Sequence, residues 1–175
     1  MSQQISFNMA KKKNKNRNLA LAKKVAVESL RFQTHFGLKM MGRTDDDILQ
    51  RMAEGEINFI EELDLTQDIL DLKDLVEGVK KELGITPTPE KGDFCTSTTA
   101  IALGIANIPT LDNMQMPASW QEQISKKILT IYYPEESRNA VVGWAKANGY
   151  NTSTYLGQPI VKFKQIYVII ERTRK

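Results

Sequence analysis

Apolar residues first recur at helical spacing from Asn18 onward, as Leu19, Leu21, Ala22, Val25, Ala26, Leu30 and Phe32, which predicts a helix to about Gln33. Residues 1–17 show no such period and read as an extended basic arm. Gly37 and Gly42 mark 34–43 as a loop. Thr44, followed by Asp45, Asp46 and Asp47, reads as an N-cap with acids in the first turn of a short helix that stops near Gly55. Phe59, Ile60 and Leu63 form a leading turn before Ile69, Leu70, Leu72, Leu75, Val76, Val79 and Leu83, whose spacing predicts a helix over 66–83. Gly84 sits at its C′ position, Ile85 can close over the last turn, and Pro87 prevents continuation.

Thr86 to Gly92, with Pro87 and Pro89, is the one linker-like stretch and the candidate boundary. Beyond it, Thr96 or Ser97 caps a short helix over 98–103 ending at Gly104, and Ser119 with Glu122 opens another toward Lys127. Ile128 to Tyr133 alternates as a strand, and Pro134 with Glu135 and Glu136 starts a helix ending at Asn148-Gly149. Thr152–Leu156 and Ile160–Thr173 read as two strands joined at Gly157-Gln158, the last of them unusually long and apolar. At a sheet edge, such a strand could pair with a neighbouring chain. The predicted fold class is α+β: a basic arm (1–17), a helical region (18–85), and an α+β domain (93–175) built on a β-α-β-β unit with a small antiparallel sheet. No internal repeat is visible.

Composition narrows the class. At 175 residues, with 41% apolar and 26% charged positions, the chain can bury roughly 70% of its unfolded surface without a staple. The sole cysteine, Cys95, excludes an internal disulfide, and the sole histidine, His35, argues against a His-based metal cluster or a Cys/His nucleophile pair. No run approaches the ~20 apolar residues of a membrane-spanning helix, and the polar, basic N-terminus has no secretory h-region. The expected setting is intracellular, cytoplasmic or within a virus particle, with no membrane partner and no secretion by a signal peptide.

The net charge of +3 conceals a segregation. Residues 1–43 carry ten Lys/Arg against one acid, Glu28, a net +9; residues 44–82 carry four against thirteen, a net −9; residues 83–175 carry ten against seven. The basic cluster is Lys11, Lys12, Lys13, Lys15, Arg17, Lys23 and Lys24, with Asn14, Asn16 and Asn18 interleaved. Such a cluster attracts phosphate backbones through counterion release. With Phe7 the only aromatic nearby, base stacking is not supported. The same cluster suits a solvated tail or an acidic protein surface.

Candidate chemistry elsewhere is sparse. Asp45, Asp46 and Asp47 with Glu54 and Glu56 could collect Mg²⁺, but consecutive aspartates fan around a helix terminus, which suits capping better. Cys95, Ser97, Thr98 and Thr99 lack an evident base, Lys91 being the one candidate for a Ser–Lys pair. No Walker or dinucleotide fingerprint is present. His35, between Phe32 and Phe36, reads as packing. Trp120, Tyr132, Tyr133, Trp144, Tyr150 and Tyr155 concentrate in the C-terminal half without an RNP motif and read mainly as core. Thr98 to Ile105, followed by Ile108-Pro109-Thr110-Leu111, resembles a helix-turn-helix with Gly104 at the turn and a second helix at 109–115. That second helix offers no Lys or Arg to reach bases or phosphates. The stretch from Asp74-Leu75-Val76 to Leu103-Gly104-Ile105 is similar in outline to part of bacterial DNA polymerase III α subunits. It lacks that family's Gly-rich turn and paired catalytic aspartates, so no polymerase chemistry is implied.

The expectation is a non-enzymatic structural or assembly subunit of a larger complex, such as a nucleic-acid-containing phage particle. No cofactor or metal is expected. Its partners are other protein subunits, in a homo- or hetero-oligomer, and DNA or RNA contacted through the phosphate backbone by the seven cations. The alternatives are a free-standing DNA-binding protein using 98–115 and a metal-dependent nuclease.

Overall fold

A computed structural model describes residues 2–107 and 119–174, with side chains for 4–107 and 120–174. The fold is α+β: N-terminal helices are followed by a small four-stranded mixed sheet. The helices are α1 (Ser2–Met40), α2 (Asp47–Glu62), α3 (Thr66–Leu83), α4 (Thr98–Ala102), α5 (Ser119–Ser125) and α6 (Arg138–Ala147). The strands are β1 (Ile128–Pro134), β2 (Asn151–Tyr155), β3 (Gln158–Lys162) and β4 (Tyr167–Thr173), in the spatial order β1-β4-β3-β2.

The largest departure from the sequence expectation is α1. Its first half is helix, not an extended arm, and 34–43 continues the helix to Met40 instead of looping out. Periodicity reports packing, and residues 4–17 are exposed throughout. Helix formation needs only permissive residues, and no glycine or proline occurs before Gly37. Gly37 does not break α1; it brings α1 against α4. A Cβ placed there would lie 2.0 Å from the Ala102 carbonyl oxygen. Gly55, expected to end a helix, lies inside α2, whose N-cap is Asp46 and not Thr44. Helix α3 has the predicted bounds and ends on Gly84 in the left-handed region (φ 67°).

The 86–92 segment, expected as a linker, lies along the outer edge of β1. Thr88 N–H donates to the Tyr132 carbonyl, and Asp93 exchanges a pair of bonds with Thr130. That segment covers one sheet edge; the other, β2, is short and polar. The expected long last strand is two strands, β3 and β4, separated by a turn at 163–166 that Asp68 of α3 holds by accepting from Gln165 N–H (2.7 Å) and Ile166 N–H (3.0 Å). Strand β4 lies between β1 and β3, so it offers no edge to a neighbour. It runs parallel to β1 and antiparallel to β3, which makes the sheet mixed instead of antiparallel. Helix α6 begins at Arg138, later than Pro134 suggested. Its Trp144 lies over Gly78 of α3 and donates from Nε1 to Glu82. One core runs from Leu30 and Leu38 through Ile57, Leu72 and Ile105 to Leu129, Val141 and Val168.

Two glycine substitutions test this packing. Gly55 is exposed with nothing within 4 Å of an added Cβ, so Gly55→Ala should stabilise by about 0.5–1 kcal/mol through helix propensity. Gly37→Ala should instead destabilise by about 1–3 kcal/mol, because the carbonyl it meets is backbone. Urea unfolding compares the two; a stabilising Gly37→Ala would show that α1 does not approach α4 so closely.

Candidate functional site

The seven cations lie on a part of α1 that no other described element covers. Residues 4–25 are exposed throughout, and burial begins at Ala26 and Val27. At 1.5 Å per residue, these residues form a projecting helix about 33 Å long. Lys11, Lys12 and Lys13 are consecutive, so they point about 100° apart around the axis. Taken together, the seven cations spread over about two thirds of the circumference instead of marking one narrow face. Lys11 Nζ sits 4.5 Å over the Phe7 ring. Lys23 pairs with Asp64 at 3.2 Å, both side chains being well exposed, a bond of the kind that contributes little. Lys11, Lys12, Lys13, Lys15, Arg17 and Lys24 have no carboxylate partner among the described residues.

Below the projection, α1 is clamped. Ala26, Val27, Leu30, Thr34 and Leu38 face the core. Arg31 Nε (3.1 Å) and His35 Nε2 (2.6 Å) both donate to the Glu54 carboxylate on α2. Partial burial pushes that carboxyl up, but the bonds and charges from His35 and Arg31 outweigh it and hold it below the ordinary value. His35 is thus a hydrogen-bond partner of Glu54 and not aromatic packing. Phe32 and Phe36 stack on each other, exposed, on the far side of the helix.

The other candidates are each engaged structurally. Asp46 Oδ1 accepts from Leu49 N–H at the start of α2. Glu56 is buried and turned away from the aspartates. Its carboxylate accepts from Ser97 Oγ (2.6 Å), Thr98 N–H (3.1 Å) and Thr99 N–H (3.1 Å), closing the N-terminus of α4. Ser97 Oγ also accepts from Ala100 N–H, so the hydroxyl is a cap. Burial pushes the Cys95 thiol up, the direction opposite to an activated nucleophile. Among the described residues, no three His, Cys, Asp or Glu side chains are arranged to hold a metal ion. No described helix is long and apolar enough to cross a membrane. The first helix of the helix-turn-helix resemblance, α4, has Thr98 to Ile101 buried; its second, at 109–115, lies outside the described residues. Trp120 and Tyr133 are core, Tyr132, Trp144 and Tyr150 are half-buried, and Tyr155 is exposed.

Asp68, Asp93 and the exposed apolar side of α1 were not singled out from sequence. Asp68 had a signal: it lies in phase with Leu72, Leu75 and Val79, an acid on a buried stripe.

Glu56→Gln tests the buried carboxylate. An amide keeps one acceptor oxygen for three donors and turns an NH₂ toward them, so it should cost about 1–3 kcal/mol. Unfolding at neutral pH measures this, and an unchanged stability would contradict the cap. The pH dependence carries a sign. Burial raises Glu56, Asp68 and Asp93 above their ordinary values of 4.5, 3.8 and 3.8. Between those values and the raised native ones, the native state binds more protons than the unfolded chain. These three groups therefore favour folding most at low pH and progressively less as pH rises through that window. Glu54, held below 4.5, acts in the opposite sense, and its contribution is lost as pH falls. Acidification from about pH 7 to 5 should leave stability level or raised; a steep loss over that interval would refute the balance.

No protein-family model matches this chain and no curated protein is similar to it, so what the projecting helix does has to be read from its own chemistry.

Proposed function

We propose that this protein is a non-enzymatic assembly subunit of a nucleic-acid-containing complex, and that the projecting half of α1 attaches it to the phosphate backbone. The observation that carries the proposal is a basic helix exposed along its length whose cations spread around about two thirds of its circumference, six of the seven without a carboxylate partner among the described residues. A flat acidic protein surface would neutralise one side of such a helix; phosphates lining a groove or packed strands can neutralise all of it. Self-repulsion points the same way. Lys11 and Lys15, and Lys13 and Arg17, are like charges at i,i+4, each costing the helix a few tenths of a kcal/mol until an anion compensates them. Attachment to the backbone requires no base reading, and base stacking has no support, Phe7 under Lys11 being the one aromatic beside the cations. A phage particle or other nucleoprotein assembly is the setting that needs such an element.

The test is salt dependence. Each neutralised phosphate contributes about −0.9 to the slope of log affinity against log salt on duplex DNA. Replacing Lys11, Lys12, Lys13 and Lys15 with Gln should flatten that slope by roughly three to four units and weaken all sequences alike. The folded body should be unaffected, because these side chains pack on nothing. An unchanged slope would overturn the proposal. Loss of assembly without nucleic acid, together with that unchanged slope, would assign the cations to an acidic neighbouring subunit.

A further inference from the structure

Between Leu21 and Met40, across the junction of its projecting and clamped parts, α1 carries an apolar stripe opposite its core face. Leu21, Val25, Phe32, Phe36 and Met40 follow one another at about one helical turn, with Ser29 at the intervening turn, and are 61%, 57%, 71%, 53% and 71% exposed. With 150–250 Å² for each aromatic, the stripe presents about 500–600 Å² of apolar surface, the upper end of what a monomer leaves open. We infer that this stripe pairs antiparallel with the same stripe of a second copy, making the protein a two-fold dimer.

Spacing and charge on α1 identify the occupant and its direction. A two-fold interface must be self-complementary, with residue i meeting j and j meeting i. The stripe satisfies this about a centre between Leu30 and Arg31: Leu21 opposes Met40, Val25 opposes Phe36, and Ser29 opposes Phe32. The small Ser29 then faces the large, stacked Phe32. Parallel pairing would lay two cationic segments side by side. Antiparallel pairing sends them to opposite ends and carries Lys15 and Arg17 past the partner copy's Met40, toward its Asp45 to Asp47 turn. The +9 of residues 1–43 thereby approaches the −9 of residues 44–82 of the other copy. Apolar and charged surface together reach toward the ~800 Å² per partner of a standard interface. The dimer does not depend on what the projecting helices bind, but it would hold two of them pointing apart, able to bridge two anionic strands.

Sedimentation equilibrium at micromolar concentration should give a dimer for the wild type and a monomer for the Val25→Glu, Phe32→Glu double variant. That variant should keep its helical content and unfold cooperatively, since both side chains face solvent within one copy; its melting temperature should lose the concentration dependence of the dimer. Direction is read separately on a Cys95→Ser background, using a short bismaleimide. Ser29→Cys, near the two-fold, should cross-link, while Leu21→Cys should not, its two copies lying on the order of 28 Å apart along the axis at 1.5 Å per residue. A monomeric wild type, a dimeric double variant, or equal cross-linking at both positions would overturn the inference. Because the double variant retains all seven cations, loss of the dimer with salt-dependent DNA binding intact separates this inference from the proposed function.

Discussion

What α1 presents to its surroundings depends on one buried carboxylate. Glu56 reaches from α2 to the first turn of α4 and accepts the bonds of Ser97, Thr98 and Thr99. Helix α4 has only five residues, too few to be stable unaided. Once held, it presents the Ala102 carbonyl to Gly37, the one point where α1 can approach that closely. Glu54, two residues before Glu56, ties Arg31 and His35 to the same helix, α2. The acidic segment thus neutralises part of the basic one within the chain, and in doing so sets the line along which residues 4–25 leave the body.

Two environments divide one continuous helix. From Ala26 onward, apolar contact and ion pairs hold α1; before it, backbone hydrogen bonds and propensity do, with one exposed ion pair between Lys23 and Asp64. Such a segment propagates from the clamped part without a new nucleation cost, which makes an otherwise marginal, self-repelling helix accessible. It is also the part whose charge has the fewest partners within the chain, so a ligand anion adds most there.

The body of the fold was legible where local pattern and packing agreed. Helix α3 has its predicted ends because its apolar stripe, Gly84 and Pro87 all point to the same boundary. Strand β1 alternates as its sequence does. Glycines misled where they serve close approach or sit exposed in a helix: Gly37 and Gly55 read as ends and lie inside helices, and only the partner at 2.0 Å explains the first. The cations were legible in the sequence as a cluster, but the helical setting of 4–17 was not, since an exposed helix without an apolar stripe leaves no periodic trace. The apolar residues of α1 were legible as helix, yet not divisible into a core face and an exposed one, because both sides repeat at the same spacing. Asp68 and Glu56 accept from backbone N–H groups far along the chain, at 165–166 and 98–99, a relation that no local spacing encodes.

The central claim, that residues 4–25 are the attachment element, is tested most directly by hydrogen exchange with and without duplex DNA at low salt. In the free protein, amides of 26–40 should be strongly protected and those of 4–25 weakly, and DNA should raise protection within 4–25 while leaving 98–107 unchanged. Protection that rises at 98–107 instead, or that leaves 4–25 as it was, would contradict the account.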